Sequence, residues 1–162
     1  MTKVADLRTG DILAWKRDRR NKMSNVFIKV IRFFTKGDFG HCGIVIRLFH
    51  WVFVLEASLP LVRLSLVRPQ EEIWHIKMPR EPEQSVIDKY VGLVGLSYGI
   101  RDALRAVFGK ISKKDDEWQC AEVVLEYCRD MGYQIPECEY TPDAVVKMLC
   151  QHFGTEPVLV TD

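Results

Sequence analysis

Apolar residues in the first half of the chain fall in short runs of strand length, broken by turn formers. Gly10-Asp11 leads into Ile12-Leu13-Ala14-Trp15, which predicts a first strand with Asp11 at its start. Ser24 is placed to cap a helix running to about Phe34, because Phe27, Val30, Ile31 and Phe34 recur at helical spacing. Gly37-Asp38-Phe39-Gly40 ends it. His41 to Leu48 and Trp51 to Ser58, rich in Ile, Val, Phe and Trp, predict a hairpin turning at Phe49-His50. Leu61 to Val67, bracketed by Pro60 and Pro69, and Glu72 to Met78 predict two further strands. Beyond Pro79 and Pro82 the period becomes helical, over Glu83 to Leu93, Ile100 to Phe108 and Trp118 to Met131, the last stopped by Gly132. A further helix opens at Thr141-Pro142-Asp143, with Thr141 as cap and Pro142 in the first helical position. Pro157 to Val160 has the pattern of a final strand. Strands grouped before helices, with no repeat and no linker, predict one α+β domain over residues 1–162: a small antiparallel sheet packed against helices.

Composition narrows the classes. The chain has 162 residues, 48% of them apolar and 28% charged, which excludes a disordered chain or a disulfide miniprotein. A chain of this size buries roughly 70% of its unfolded surface without staples. Its 23 basic and 22 acidic residues leave a net charge of +1, so no global case for nucleic-acid binding follows. The basic run from Lys16 to Lys22 is open to two readings, a solvated loop or a patch for an anionic partner. The first residues have no secretory-signal pattern and no stretch is long and apolar enough to span a bilayer. With Cys42, Cys120, Cys128, Cys138 and Cys150, an odd count, this predicts free thiols in a reducing compartment, the cytoplasm. No CxxC pair or other usual ligand spacing occurs, so neither a metal nor a cofactor is expected. Gly92, Gly95 and Gly99 lack the GK[ST] of a phosphate loop and read as close-packing positions.

The residues with chemical potential lie in three segments. Cys120 follows the acidic Asp115-Asp116-Glu117 and precedes the periodic Val123, Val124, Tyr127 and Cys128, which puts it in the first turn of a helix. There the unpaired N–H groups and dipole favour the thiolate, although a buried structural cysteine has the same pattern. Cys128, two turns further in, reads as a core residue. Of four histidines, His41 stands at the start of a strand directly after a glycine-containing loop, a common mounting for site residues; a structural histidine is the plainer reading. A two-residue turn at Phe49-His50 sets Glu56 opposite Gly43 and diagonal to His41, while one at Leu48-Phe49 sets Glu56 opposite His41 itself. Either register puts Glu56 and His41 on one face, with Gly43 leaving space for the imidazole. Cys42, one residue on, points to the other face.

The order Gly10-Asp11-Ile12-Leu13, His41-Cys42-Gly43-Ile44-Val45, Val54-Leu55-Glu56-Ala57, Cys120-Ala121-Glu122-Val123-Val124 and Tyr140-Thr141-Pro142-Asp143 resembles the circularly permuted, NlpC-type papain-like cysteine hydrolases, in particular the YiiX/YebB-like group. The resemblance spans Gly10 to about Leu149. It implies a papain-like fold with Cys120 as nucleophile, His41 as general base and Glu56 as the polar third residue. This chain has Ala121 where the family often has Ser. The chemistry implied is amide hydrolysis or acyl transfer through a thioester, on a peptide, amide or lipid-like substrate. Three functions follow as alternatives: a cysteine amidase or peptidase, a lipid-type acyltransferase on the same dyad, or a non-catalytic binding module. No nucleic-acid partner and no stable membrane insertion is expected, and the oligomeric state is open.

Overall fold

The computed structural model describes residues 1–16, 38–58, 60–68, 72–97 and 119–161. Over these residues the strands are β1 (Thr2–Lys3), β2 (Ile12–Trp15), β3 (His41–Leu48), β4 (Trp51–Ser58), β5 (Leu61–Leu66), β6 (Ile73–Ile76) and β7 (Val158–Thr161). The helices are α1 (Gln84–Val91), α2 (Cys120–Asp130) and α3 (Pro142–Phe153), with a short 3-10 turn at Val4–Asp6. The helices expected over Ser24 to Phe34 and Ile100 to Phe108 lie outside the described residues, as does Gly99.

The strands form one seven-stranded sheet in the order β1-β7-β6-β2-β3-β4-β5. Every pairing is antiparallel except β1 with β7, so the sheet is larger than expected and mixed at one edge. The two-residue β1, too short to leave a periodic signal, is what the sequence reading lacks. β6 pairs between β2 and β7, away from any edge.

Alternation along the strands sorts the core into two layers. Ile12, Ala14, Cys42, Ile44, Ile46, Leu55, Ala57 and Val62 face the helices and pack with Val123, Val124, Tyr127, Val145 and Leu149. The opposite face gathers Leu13, Trp15, Val45, Val52, Val54 and Ile73 under Leu7 and Val160. Ile44 and Leu55 are paired and fully buried, each stabilising the fold by about 1.5–3 kcal/mol. The hairpin turns at Phe49-His50, with Phe49 at φ 55° and exposed to solvent. Gly95 has φ +95° and nothing near where a Cβ would sit, so its backbone conformation, not close packing, requires glycine. His152 lies in the last turn of α3.

Candidate functional site

The segment entering β3 is fixed from two sides. Gly40 N–H donates to the Trp15 carbonyl at 2.9 Å. Asp143 Oδ1 accepts from the N–H groups of Asp38 at 2.7 Å and Phe39 at 3.2 Å. Asp143 sits in the first turn of α3, whose start is set as expected, with Pro142 leading the helix and the Thr141 hydroxyl accepting from Ala144 N–H. Burial raises the Asp143 pKa, but Lys147 and the two N–H donors outweigh it and hold the carboxyl below its ordinary value. The end of β2 and the start of α3 thereby position His41, which is buried with its ring 5.4 Å from that of Trp15.

His41 Nε2 lies 2.6 Å from Glu56 Oε2. The β3–β4 register is the one set by a Phe49-His50 turn, with Ile44 opposite Leu55. Glu56 is wholly buried, and a carboxylate there is tolerated only with partners. Its second oxygen accepts from Arg63 Nε at 3.1 Å and Ser65 Oγ at 2.7 Å, and Arg63 Nη2 also reaches Ser58 Oγ at 3.3 Å. Pairing explains this, since Arg63 is opposite Glu56 and Ser65 is opposite Val54 across β4 and β5, so all share one face. Gly43 does something other than make room for the ring. A Cβ there would lie 2.6 Å from Val54 Cγ2, 2.7 Å from the Leu55 carbonyl oxygen and 3.3 Å from Glu56 Cβ. Glycine at this position lets β4 approach closely enough to bring Glu56 to His41.

Cys120 is the first residue of α2, whose capping residue Gln119 makes no side-chain hydrogen bond into the first turn. Its sulfur lies within the electrostatic reach of Cys42 and His41. Neighbouring Cys42 and the charge of His41 hold the Cys120 pKa well below the ordinary thiol value despite burial. Cys42 moves the other way, pushed well up by neighbouring Cys120 and by burial. Burial would lower the His41 pKa, but the neighbouring Cys120 thiolate and then Glu56 outweigh it and push it up to about 10. These shifts favour the thiolate at Cys120 and the charged imidazole at His41, with a carboxylate behind the ring.

The three residues singled out from the sequence therefore converge. Cys42, read as remote because it faces away from His41, also belongs to the cluster. It lies on the helix-facing side of β3, and the start of α2 packs against that side. Cys128 behaves as a core thiol, pushed up to about 12 by burial. His75 forms a separate buried pair with Asp11, at 2.9 Å, and Asp11 also accepts from Met78 N–H at 2.9 Å and Arg8 N–H at 3.0 Å. That cluster ties the chain before β2 to β6. Near the site, the Phe39 and Trp74 rings lie 6.4 Å apart edge to face, with the Lys16 amine 4.5 Å from the Trp74 ring centre. The rest of the basic run lies outside the described residues. Among the described residues no group of three His, Cys, Asp or Glu side chains could hold a metal ion, and no helix is long and apolar enough to cross a membrane.

No protein-family model matches the sequence, and no curated protein does. Among solved structures the chain is similar to the metalloprotein yiiX from Escherichia coli O157:H7, a DUF1105 protein, with a TM-score of 0.59 at 18% identity. The match covers 94% of this chain and 88% of that one. At this identity the likeness is one of fold: a mixed α+β architecture shared along nearly the whole length.

Proposed function

We propose that this chain is a cysteine hydrolase, an amidase or peptidase acting through a thioester, built as a single permuted papain-like domain over residues 1–162. The observation that carries the reading is buried His41, with Nε2 2.6 Å from the fully buried Glu56 carboxylate and electrostatically coupled to Cys120 at a helix start. In this reading the Cys120 thiolate attacks the carbonyl carbon of an amide, and its helix-start N–H donates to the developing oxyanion. The His41 imidazolium protonates the departing amine. His41, now neutral, takes a proton from the water that cleaves the thioester, and Cys120 leaves as thiolate. Glu56 fixes the ring through Nε2 and stabilises its charged form. The fold shared with yiiX agrees with the YiiX-like resemblance of the motifs. Five free cysteines fit a reducing compartment, which supports a cytoplasmic location.

The test is active-site titration with p-nitrophenyl acetate. The expected result is a burst of one p-nitrophenolate per chain, with an acetyl group on Cys120 in the mass spectrum, abolished in Cys120→Ala. Turnover in water alone supports hydrolysis. Turnover only on adding an amine or alcohol acceptor turns the reading to acyl transfer, and the absence of a burst in folded protein turns it to a binding module.

A further inference from the structure

The β3–β4 hairpin ends in side chains that neither the core nor the turn accounts for. Leu48 and Trp51 are paired across it, with Phe49 and His50 making the turn. All four are exposed, Phe49 to 94%, Trp51 to 51% and Leu48 to 46%. Phe49 has φ 55°, a conformation that strains a bulky residue and that glycine or asparagine adopts more easily. An aromatic ring held there against backbone preference, outside any core, points to a use other than folding. The apolar surface continues along the helix-facing side of the sheet. Phe53, two residues on from Trp51, is half-buried, and its β5 partner Leu66 is 38% exposed. The His50 ring lies 4.8 Å from that of Trp51. Two exposed arginines flank the tip. Arg47 is opposite Val52, and its Nη1 donates to the carbonyls of Ala5 at 2.8 Å and Leu7 at 3.1 Å. Asp6, between those two in sequence, is the one acid of that short turn. Val67 N–H donates to the Val52 carbonyl at 2.9 Å, which brings Arg68 to the same end of the sheet as Trp51. Residues 47–52 and 66–68 contain no carboxylate.

We propose that this hairpin tip is a reversible docking wedge for an anionic membrane surface. Leu48, Phe49 and Trp51 enter the boundary between headgroups and acyl chains, and Arg47 and Arg68 meet the anionic headgroups. Shape favours a lipid surface over a protein. A stable protein interface buries about 800 Å² on each partner, more than three side chains on a convex two-residue turn supply. A bilayer has no fixed shape to match and closes around whatever enters it. Chemistry favours it as well. A tryptophan with a polar neighbour suits the headgroup level, where its ring is apolar and its N–H stays hydrated. Arginines without a carboxylate in the same segments complement anionic lipid, each strengthening binding about fivefold near the surface. Such a wedge reaches only about 5–10 Å into the interface, so the chain docks without spanning. His41 begins β3 and Leu48 ends it, so the wedge lies about 24 Å along the strand from the catalytic candidates. Docking at one end of β3 therefore leaves the chemistry at the other end separate, and the proposal does not rest on the hydrolase reading.

The test is flotation of the full-length protein with vesicles of phosphatidylcholine and phosphatidylserine in equal parts, against vesicles of phosphatidylcholine alone. The expected result is binding to the anionic vesicles, weakened by salt, with a blue shift of tryptophan fluorescence that Trp51→Phe removes while binding persists. Phe49→Gly is the decisive variant, because glycine adopts the positive φ without strain. Its melting temperature should equal or exceed that of the wild type, while its vesicle affinity falls about tenfold or more. A merely structural Phe49 would show the reverse. Leu48→Ser should weaken binding in the same direction, and Arg68→Gln about fivefold. Four results overturn the proposal: no flotation of the wild type, equal binding to both kinds of vesicle, undiminished binding in Phe49→Gly, or a wild-type dimer in light scattering that Phe49→Gly converts to monomer. The last would make a second copy of the chain the occupant of the tip.

Discussion

His41 Nε2 and Glu56 Oε2 lie 2.6 Å apart, and Glu56 stands one residue past Leu55, the last β4 position paired with β3. There β4 continues its pairing with β5 alone, where Arg63 and Ser65 hold the other carboxylate oxygen. The charge behind the imidazole is therefore built from two strands that the sheet brings together. Away from water each of these hydrogen bonds is stronger, and each missing partner more costly, than at the surface.

That network predicts a graded series in single-turnover acylation by an activated ester. His41→Ala removes the proton carrier and should lower the rate by about 10²–10⁴-fold. Glu56→Gln keeps shape but loses one charge-assisted hydrogen bond of about 1.5–3 kcal/mol, a loss of about ten- to hundredfold. Arg63→Met leaves Ser65 on the carboxylate and should cost less than Glu56→Gln. If Glu56→Gln equals His41→Ala in folded protein, Glu56 does more than orient the ring. No change in Glu56→Gln would make it a bystander.

The opposed shifts at Cys120 and His41 predict an unusual pH profile for alkylation. A free thiol gains reactivity as pH rises through its ordinary value near 9. Here the Cys120 pKa is held well below that value and His41 is pushed up to about 10, so the rate should rise little as pH passes through the ordinary thiol range. Brief iodoacetamide treatment at neutral pH, followed by peptide mapping, should label Cys120 first. Cys42 and Cys128, both pushed upward, should lag. Faster labelling of Cys42 would reverse the roles assigned to the two sulfurs.

The site was legible in sequence to the extent that it is written in local periodicity. A period of two with a two-residue turn fixes which β3 and β4 residues share a face, and that suffices to bring Glu56 to His41. A helical period after an acidic cluster places Cys120 at a helix start. What stayed hidden depends on the distance between layers. Alternation correctly puts Cys42 on the face opposite Trp15 and His41, but it cannot say that α2 begins directly over that face. Arg63 and Ser65 escaped because β5 alternates poorly, so its register against β4 had no apolar pattern to fix it. The Asp11–His75 pair was missed because β6 joins β2 from a distant part of the chain. Likewise, the two residues of β1 bury too little to mark themselves in the pattern.

Gly43 separates a steric role from a chemical one. Gly43→Ala places a methyl group against the Leu55 carbonyl and the Val54 side chain at 2.6–2.7 Å, closer than any relaxed contact. The backbone must give, so β4 should move outward, with a stability loss of about 1–3 kcal/mol in urea unfolding. Displacing Glu56 should lower the acylation rate in the folded variant about as far as Glu56→Gln does. A variant that is less stable but has an unchanged rate would mean that the His41–Glu56 contact tolerates the shift.

Asp143 connects stability, pH and the placement of His41. Its carboxylate holds the Asp38 and Phe39 N–H groups just before β3, and its pKa lies below the ordinary 3.8. A depressed carboxyl pKa contributes stability that is complete above the unfolded value and disappears as pH falls through the folded one. Asp143→Ala leaves two buried or half-buried donors without their acceptor, which should cost about 1–3 kcal/mol at pH 7. The gap between wild type and variant, measured by urea unfolding, should hold down to about pH 4 and shrink below it. The same loop carries His41, so the variant should also alkylate Cys120 more slowly near pH 7, where a displaced imidazolium no longer holds the thiolate. A stability gap with no change in alkylation would show that Trp15, through its bond to Gly40, is enough to hold His41 in place.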